Sequence, residues 1–266
     1  MLRITSYVLL LLFSTTTMLT SSKNQLDSKG SYFSLKDVNL KNPQNVLDYF
    51  LLLPNDFFSE FNQKGYNIMS NFIHGKSSLE WAKIDDVVID KKNAFIHISV
   101  NINESVYYVD FTYFLDSKQE KVFGFTTRIF RQQLTNSFSA IFLEYKDKKY
   151  YKINGKVLPN INFQTFWDES LKLPEKKYQI YQLEYILPQH GTTVSVYFHE
   201  IYFLIDPFDN SHDKYGIDQN DYYSKVITKY KYGKIDLSWN KEKGIFSFKK
   251  KYTISEVEED YDCECK

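Results

Sequence analysis

Hydrophobic and polar residues alternate with a period of two over most of the chain from residue 84 onward, and this pattern predicts β-strands. The clearest apolar sets are Ile96, Ile98 and Val100, then Tyr107, Val109 and Phe111, then Ile141, Leu143 and Tyr145. Short polar turns at 90–93, 116–120 and 147–148 separate the runs. Strands therefore follow strands directly, which predicts an antiparallel meander.

The same pattern returns in the second half of the chain. Apolar positions alternate over 181–187 and 194–198, and a last hairpin is predicted over 235–248. In that hairpin we expect Trp239, Phe246 and Phe248 in the core and Asp236 and Ser238 on the exposed face. The apolar phase changes from even to odd near residues 199–200, which predicts a β-bulge there.

Helical spacing precedes each set of strands. Asn42 can cap a first helix, with Pro43 at its first position, and Pro54 would end the apolar run. A second helical pattern stops before Pro174 and has an apolar face formed by Phe163, Phe166, Trp167 and Leu171. The sequence thus predicts a β-rich α+β fold: antiparallel hairpin meanders with two or three short helices packed against the sheet or sheets.

The first 22 residues resemble a secretory signal peptide. Arg3 is followed by an uncharged apolar run and by small polar residues at 20–22, and charge resumes at Lys23. The run is shorter than the roughly 20 residues of a spanning helix, so a cleaved signal is favoured over a retained anchor. We expect an exported protein, secreted or periplasmic, with no transmembrane segment after cleavage.

The chain divides into four segments on these signals. We predict a signal peptide at 1–22, an N-terminal α+β half at 23–160, and a C-terminal α+β half at 161–255 that can form one domain with the first. The segment 256–266 is acidic and low in hydrophobicity, which predicts a disordered tail.

Composition narrows the class of protein. The 33 basic residues balance the 33 acidic ones, which argues against a nucleic-acid binder because such proteins need a basic excess. Only three of the basic residues are arginine, and tyrosine and phenylalanine number 22 each. This bias is typical of an AT-rich, bacterial genome. The only cysteines, Cys263 and Cys265, lie in the tail, so no disulfide is expected to hold the fold together.

The sequence lacks a nucleophile elbow, a phosphate-binding glycine loop and a zinc-protease helix motif. The strongest catalytic candidates are His199 and Glu200 at the predicted bulge, with Asp206 a short distance along the chain. A hydrolase with a non-local site around these three residues is one functional hypothesis.

Possible ligand sites are few. Asp209, Asp213 and Asp218 supply oxygen atoms in an acidic loop and are the candidate metal ligands, but the closing glutamate of a calcium loop is missing, so we expect an ordinary solvated loop. No cofactor is predicted. Tryptophans, including Trp81, and the many tyrosines could stack on sugars.

The hypothesis favoured over a hydrolase is a non-enzymatic, exported protein that binds a partner protein, a small molecule or a glycan. An enzyme should gather His199 and Glu200 with another acid or base within hydrogen-bond reach. A binding protein should instead present a broad aromatic or apolar patch.

Overall fold

The structure is a computed structural model that describes residues 38–54, 57–58, 78–79, 82–102, 105–131, 136–179, 181–200, 225–226 and 229–257. The helices are α1 (Val46–Phe50), α2 (Asn154–Val157) and α3 (Phe163–Phe166), with a 3₁₀ turn at Lys176–Tyr178 and a helical turn at 254–257. The strands are β1 (Ser78–Leu79), β2 (Ala82–Asp90), β3 (Phe95–Ile102), β4 (Ser105–Leu115), β5 (Lys121–Arg131), β6 (Ser137–Lys146), β7 (Lys149–Lys152), β8 (Tyr181–Ile186), β9 (Thr193–Glu200), β10 (Tyr232–Asn240) and β11 (Ile245–Thr253).

The strands form two antiparallel sheets. The first sheet contains β1 to β7 in chain order, and the second has the order β11-β10-β9-β8. Each neighbouring pair is antiparallel, so the predicted β-rich α+β fold with hairpin meanders is confirmed.

Both faces of the first sheet carry buried apolar side chains. One face packs against α1 and the pair Phe57 and Phe58, with Phe111 and Phe125 at its centre. The other face joins a second core that also contains α3 and the apolar face of the second sheet. The two halves of the chain therefore share this second core.

A glycine lies at one close contact between the halves. A Cβ atom added to Gly124 in β5 would lie 3.0 Å from a methyl carbon of Leu187, which follows β8. The absence of a side chain at this position lets Leu187 pack directly onto the backbone of the first sheet.

The first helix begins later than the sequence predicts. Asn45, and not Asn42, caps α1, because its side-chain oxygen accepts hydrogen bonds from the backbone N–H groups of Leu47 and Asp48 at 3.0 and 3.3 Å. The carboxylate of Asp48 accepts the backbone N–H of Asn45 in return, at 3.2 Å. This reciprocal capping box outweighs the proline signal at position 43.

The second predicted helix is shorter than its pattern. The helix α3 ends at Phe166, and Trp167 instead makes an isolated antiparallel bridge with Tyr230. Leu171, which was expected on the apolar helix face, is 42% exposed.

The last hairpin confirms one burial prediction and corrects two. Trp239 is buried, as expected. Asp236 is also buried, contrary to prediction, because Ser195 Oγ and Tyr252 Oη each donate a hydrogen bond of 2.8 Å to its carboxylate. Phe248 was expected in the core, but it lies on the edge strand β11 and is 45% exposed.

The described pairing shows no bulge as far as Glu200, and the rest of the predicted phase change, from Ile201 onward, lies outside the described residues. The pairing of β8 with β9 runs without a register shift from Ile186 opposite Ser195 to Tyr181 opposite Glu200. Residues 201–224 lie outside the described residues.

The described chain extends two residues into the predicted acidic tail. Glu256 and Val257 belong to the helical turn at 254–257, and the Glu256 carboxylate accepts a hydrogen bond of 2.7 Å from the backbone N–H of Thr253. Residues 258–266 lie outside the described residues.

Candidate functional site

Five ionisable side chains from both sheets meet in one hydrogen-bonded group, which we call the junction cluster: His97, Asp110, Arg128, Glu184 and His199. The cluster links β3, β4 and β5 of the first sheet to β8 and β9 of the second. Among the ion pairs of the described residues, that between Arg128 and Glu184 is the one that joins the two sheets, at 3.3 Å.

The strand alternation places the first three members together. His97 of β3 pairs directly with Asp110 of β4, and Asp110 pairs with Thr126 of β5. Arg128 is two residues beyond Thr126, so its side chain points to the same face as that of Thr126. This face is the one opposite α1, because the alternate residues Ile98 and Val109 belong to the α1 core.

Both oxygens of the Asp110 carboxylate have hydrogen-bond partners. His97 Nδ1 lies 2.5 Å from one oxygen, and Arg128 Nη2 donates to the other at 2.8 Å. Thr126 Oγ1 donates a further hydrogen bond of 3.3 Å. Because an ionised carboxylate only accepts hydrogen bonds, the proton of the His97 contact lies on Nδ1.

Glu184 and His199 supply the part of the cluster from the second sheet. Glu184 pairs with Tyr197, and His199 pairs with Gln182. These four residues alternate with the core residues of β8 and β9, so Glu184 and His199 lie on the same face of that sheet. His199 Nε2 lies 2.7 Å from Glu184, and the His199 side chain is 29% exposed. Glu184 therefore orients the imidazole and leaves Nδ1 for a second partner.

In this cluster the charged and hydrogen-bonded partners together outweigh the effect of burial on the pKa values of the carboxyls. Burial alone would raise the pKa of Asp110, but Arg128 and His97 lower that pKa below its usual value. Burial would likewise raise the pKa of Glu184, yet the hydrogen bond from His199 and the charge of Arg128 lower it. Both carboxyls are therefore held ionised, as expected for paired charges in an enclosed site.

Arg128 is held charged by the same contacts. Burial would lower its pKa, but Asp110 and Glu184 raise that pKa above the usual value. The guanidinium also lies 5.1 Å from the ring centre of Tyr108. Its buried Nε has no hydrogen-bond partner within the part of the chain that the structure describes.

Aromatic rings cover the cluster on its outer side. Tyr108 stacks on His97, Phe130 contacts Tyr108, and Phe138 lies 4.6 Å from the His199 ring between centroids. These rings are half-buried. The arrangement resembles a structural ion network more than a set of free catalytic groups, because each charged member already has a partner.

Of the three predicted catalytic residues, His199 is the one whose side chain the structure describes, and it meets Glu184. For Glu200 the described part is the backbone position at the end of β9. Asp206 and the three candidate metal ligands, Asp209, Asp213 and Asp218, fall outside the described residues, as do Trp81 and both cysteines. Within the described residues, no group of three or more His, Cys, Asp or Glu side chains could hold a metal ion.

Sequence reasoning missed His97, Asp110, Arg128 and Glu184. The available signal was a charged residue in the middle of a long apolar strand, as at Asp110, together with the rarity of arginine in the chain. Polar residues on the second face of a strand usually contact water, and nothing local distinguishes this case.

A second feature lies on the opposite face of the first sheet. Four partly buried tyrosines and a lysine form a group that we call the tyrosine patch: Tyr49 from α1, Tyr113, Tyr145, Tyr150 and Lys121. The rings of Tyr49 and Tyr145 lie 5.5 Å apart, and those of Tyr145 and Tyr150 lie 4.9 Å apart. The Lys121 ammonium is 5.4 Å from the centre of the Tyr49 ring and 5.5 Å from that of Tyr113.

Burial keeps the phenols of Tyr49, Tyr113 and Tyr150 as neutral hydroxyls at physiological pH. Burial raises the pKa of Tyr49, Tyr113 and Tyr150 above the usual value, and neighbouring tyrosines raise those of Tyr49 and Tyr150 further. The Tyr150 hydroxyl donates a hydrogen bond of 2.7 Å to the backbone carbonyl of Tyr49, which fixes α1 to the sheet. The patch therefore combines rigid ring faces, hydroxyl groups and one ammonium.

Comparisons with known proteins assign no family. No family model and no curated protein matches the chain. A solved structure, a domain of an uncharacterized protein from Porphyromonas gingivalis W83, resembles it with a TM-score of 0.43 and 9% sequence identity, over 77% of this chain and 98% of that one. A likeness of this degree assigns neither a shared fold nor a function.

The described helices are all short. None of them combines the length and the apolar character that crossing a bilayer would require.

Proposed function

We propose that this chain is an exported, extracytoplasmic bacterial protein that binds a partner or ligand without catalysing a reaction, and that the tyrosine patch is its binding surface. The N-terminal signal pattern and the codon-biased composition support export and a bacterial source. Periplasmic and extracellular locations fit this proposal equally.

The observation that carries the proposal is a group of four partly buried tyrosines, two of which, Tyr49 and Tyr113, lie against the ammonium of Lys121. Tyrosine offers a large, rigid contact area with a polar end, and for this reason it is enriched at binding surfaces. The rings rest on buried apolar residues, since Tyr49 lies 4.8 Å from Phe123 between centroids. The patch is thus already ordered before any ligand binds, which lowers the entropic cost of binding.

The test is co-sedimentation of the purified mature protein with envelopes isolated from the cells that produce it. We expect binding that is strongly reduced by Tyr113→Ser. Tyr151→Ser is the matched control, because Tyr151 is 47% exposed and lies on the opposite face of β7 from Tyr150. Equal retention of both variants on the envelopes would contradict the proposal.

A hydrolase remains the second candidate, and one contact favours it. Glu184 holds one ring nitrogen of the partly exposed His199, as an orienting carboxylate holds a general base. The test uses fluorogenic ester, peptide and glycoside substrates with the wild-type protein and with His199→Gln. Turnover that disappears in His199→Gln but survives in Tyr113→Ser would make the hydrolase the leading function.

A further inference from the structure

We infer that the ligand of the tyrosine patch is an acidic glycan, a sugar polymer that carries carboxylate groups. This inference rests on the proposed function, because it names the ligand class of the same surface. The charges of Lys121 and Lys152 and the character of the rings favour this class of ligand.

Two ammonium groups on this face of the sheet, those of Lys121 and Lys152, have no acidic partner among the described residues. Lys121 lies between two tyrosine rings, and Lys152 lies on the same face of β7 as Tyr150, with its Nζ 5.5 Å from the centre of the Phe57 ring. Among the described residues, neither lysine has a carboxylate within the 4.0 Å of an ion pair. Lys250, in contrast, stacks on Tyr252 and also pairs with Glu256 at 3.6 Å.

An unpaired ammonium that rests on a ring is a ready site for an anionic group. The ring holds the stem in place, so less side-chain entropy is lost when an anion binds. Two such cations on one face of the sheet, Lys121 at the tyrosines and Lys152 at Phe57, favour a ligand with repeated negative charges over a neutral one.

The rings favour a sugar over a peptide. A sugar presents C–H groups to a ring face and hydroxyls to the phenol and ammonium groups, and the patch offers these groups and little else. A protein partner would need about 800 Å² on each side and an apolar centre. Here the apolar residues beneath the tyrosines, such as Phe111 and Phe123, are buried and cannot supply that centre.

The test is calorimetric titration of the full mature chain with polygalacturonate, with dextran as the neutral glycan and poly-L-glutamate as the acidic peptide. We expect binding of polygalacturonate that weakens as salt rises, and no binding of dextran. Joint replacement Lys121→Gln and Lys152→Gln should weaken polygalacturonate binding by about tenfold.

Two controls separate a local effect from a general one. Lys241→Gln with Lys243→Gln removes the same charge from the exposed turn between β10 and β11, and should leave the affinity unchanged. Tyr113→Phe keeps the ring and removes only the hydroxyl, so it should weaken binding less than Tyr113→Ser. Thermal unfolding of each variant establishes that it is folded.

The outcomes distinguish this inference from the proposed function. Equal affinity for poly-L-glutamate, or no affinity for polygalacturonate, would overturn the glycan inference. If envelope binding nevertheless required Tyr113 and was abolished by protease treatment of the envelopes, the proposed function would stand with a protein partner. If neither probe nor envelope binding depended on the patch, both would fail.

Discussion

Replacing Arg128 with methionine should destabilise the protein strongly at neutral pH. The substitution keeps much of the side-chain volume but removes the only cation that contacts both buried carboxylates, Asp110 and Glu184. Removing one partner of a buried ion pair typically costs about 3–5 kcal/mol, because the other charge stays buried without compensation.

The structure places the expected loss near the lower end of that range. Asp110 keeps its hydrogen bonds from His97 and Thr126, and Glu184 keeps the one from His199. We therefore expect a loss of about 3 kcal/mol in the free energy of unfolding. For a chain of this size that corresponds to a fall in Tm of roughly 6–12 °C.

The pH dependence gives a sharper test of the cause. The pKa values of Asp110 and Glu184 are lowered in the folded protein, so their contribution to stability is complete above their unfolded pKa values of about 3.9 and 4.3. It is lost as the pH falls through the folded values. Without Arg128 the contribution of the two carboxylates to stability is smaller. The difference in the free energy of unfolding between wild type and Arg128→Met should therefore be largest near neutral pH and smaller below about pH 4.

The assay is urea unfolding of wild type, Arg128→Met, Glu184→Gln and the double variant across this pH range. Arg128 and Glu184 are in contact, so the double variant should lose less stability than the sum of the single losses. A loss below about 1 kcal/mol for Arg128→Met, strict additivity, or a difference independent of pH would refute the account of the cluster.

Four further outcomes are expected. Trp239→Ala should cost about 3–5 kcal/mol in urea unfolding, since the side chain is buried and its Nε1 donates a hydrogen bond of 2.8 Å to a backbone carbonyl; a loss below about 1 kcal/mol would show a weaker core. Gly124→Val should lower the Tm, because its side chain would enter space that Leu187 fills, whereas Gly155→Val at an open position is the control. N-terminal sequencing of exported protein should begin near Lys23, and Met1 would contradict export by cleavage. Millimolar calcium should leave the Tm unchanged relative to chelator; a rise of several degrees that Asp213→Asn abolishes would establish a calcium site.

The arrangement of the strands was predictable because it depends on local patterns. Turns such as Asp90–Asn93 and Asn240–Gly244 separate alternating runs, and a hairpin pairs strands that are adjacent in the chain. The antiparallel order of the first sheet follows from these short connections, whereas β9 and β10 of the second sheet pair although residues 201–231 separate them. The helix start failed as a prediction because Asn42 and Asn45 both suit a cap, and only the reciprocal bond from Asp48 decides between them.

The tyrosine patch was predictable only in composition. Abundant tyrosine indicated that rings would reach the surface somewhere, but α1 brings Tyr49 next to Tyr145 from nearly one hundred residues away in the chain. The alternating pattern within one strand cannot specify a contact between residues so far apart in the chain. It can only place Tyr113 and Tyr145 on the same side of their strands as the apolar core residues.

The junction cluster was invisible for a related reason. Alternation divides a strand into two faces, but it does not tell which faces are covered. In the first sheet both are covered, and the polar face that holds His97, Asp110 and Arg128 is closed only when β8 supplies Glu184 more than fifty residues later. Once that strand docks, each buried charge meets its counter-charge, and the charges then favour this one arrangement of the two sheets over others. The ion pairs therefore act chiefly on which packing of the two sheets is favoured. A well-packed apolar replacement of both Arg128 and Glu184 should therefore preserve stability more readily than it preserves a single, well-ordered packing of the sheets.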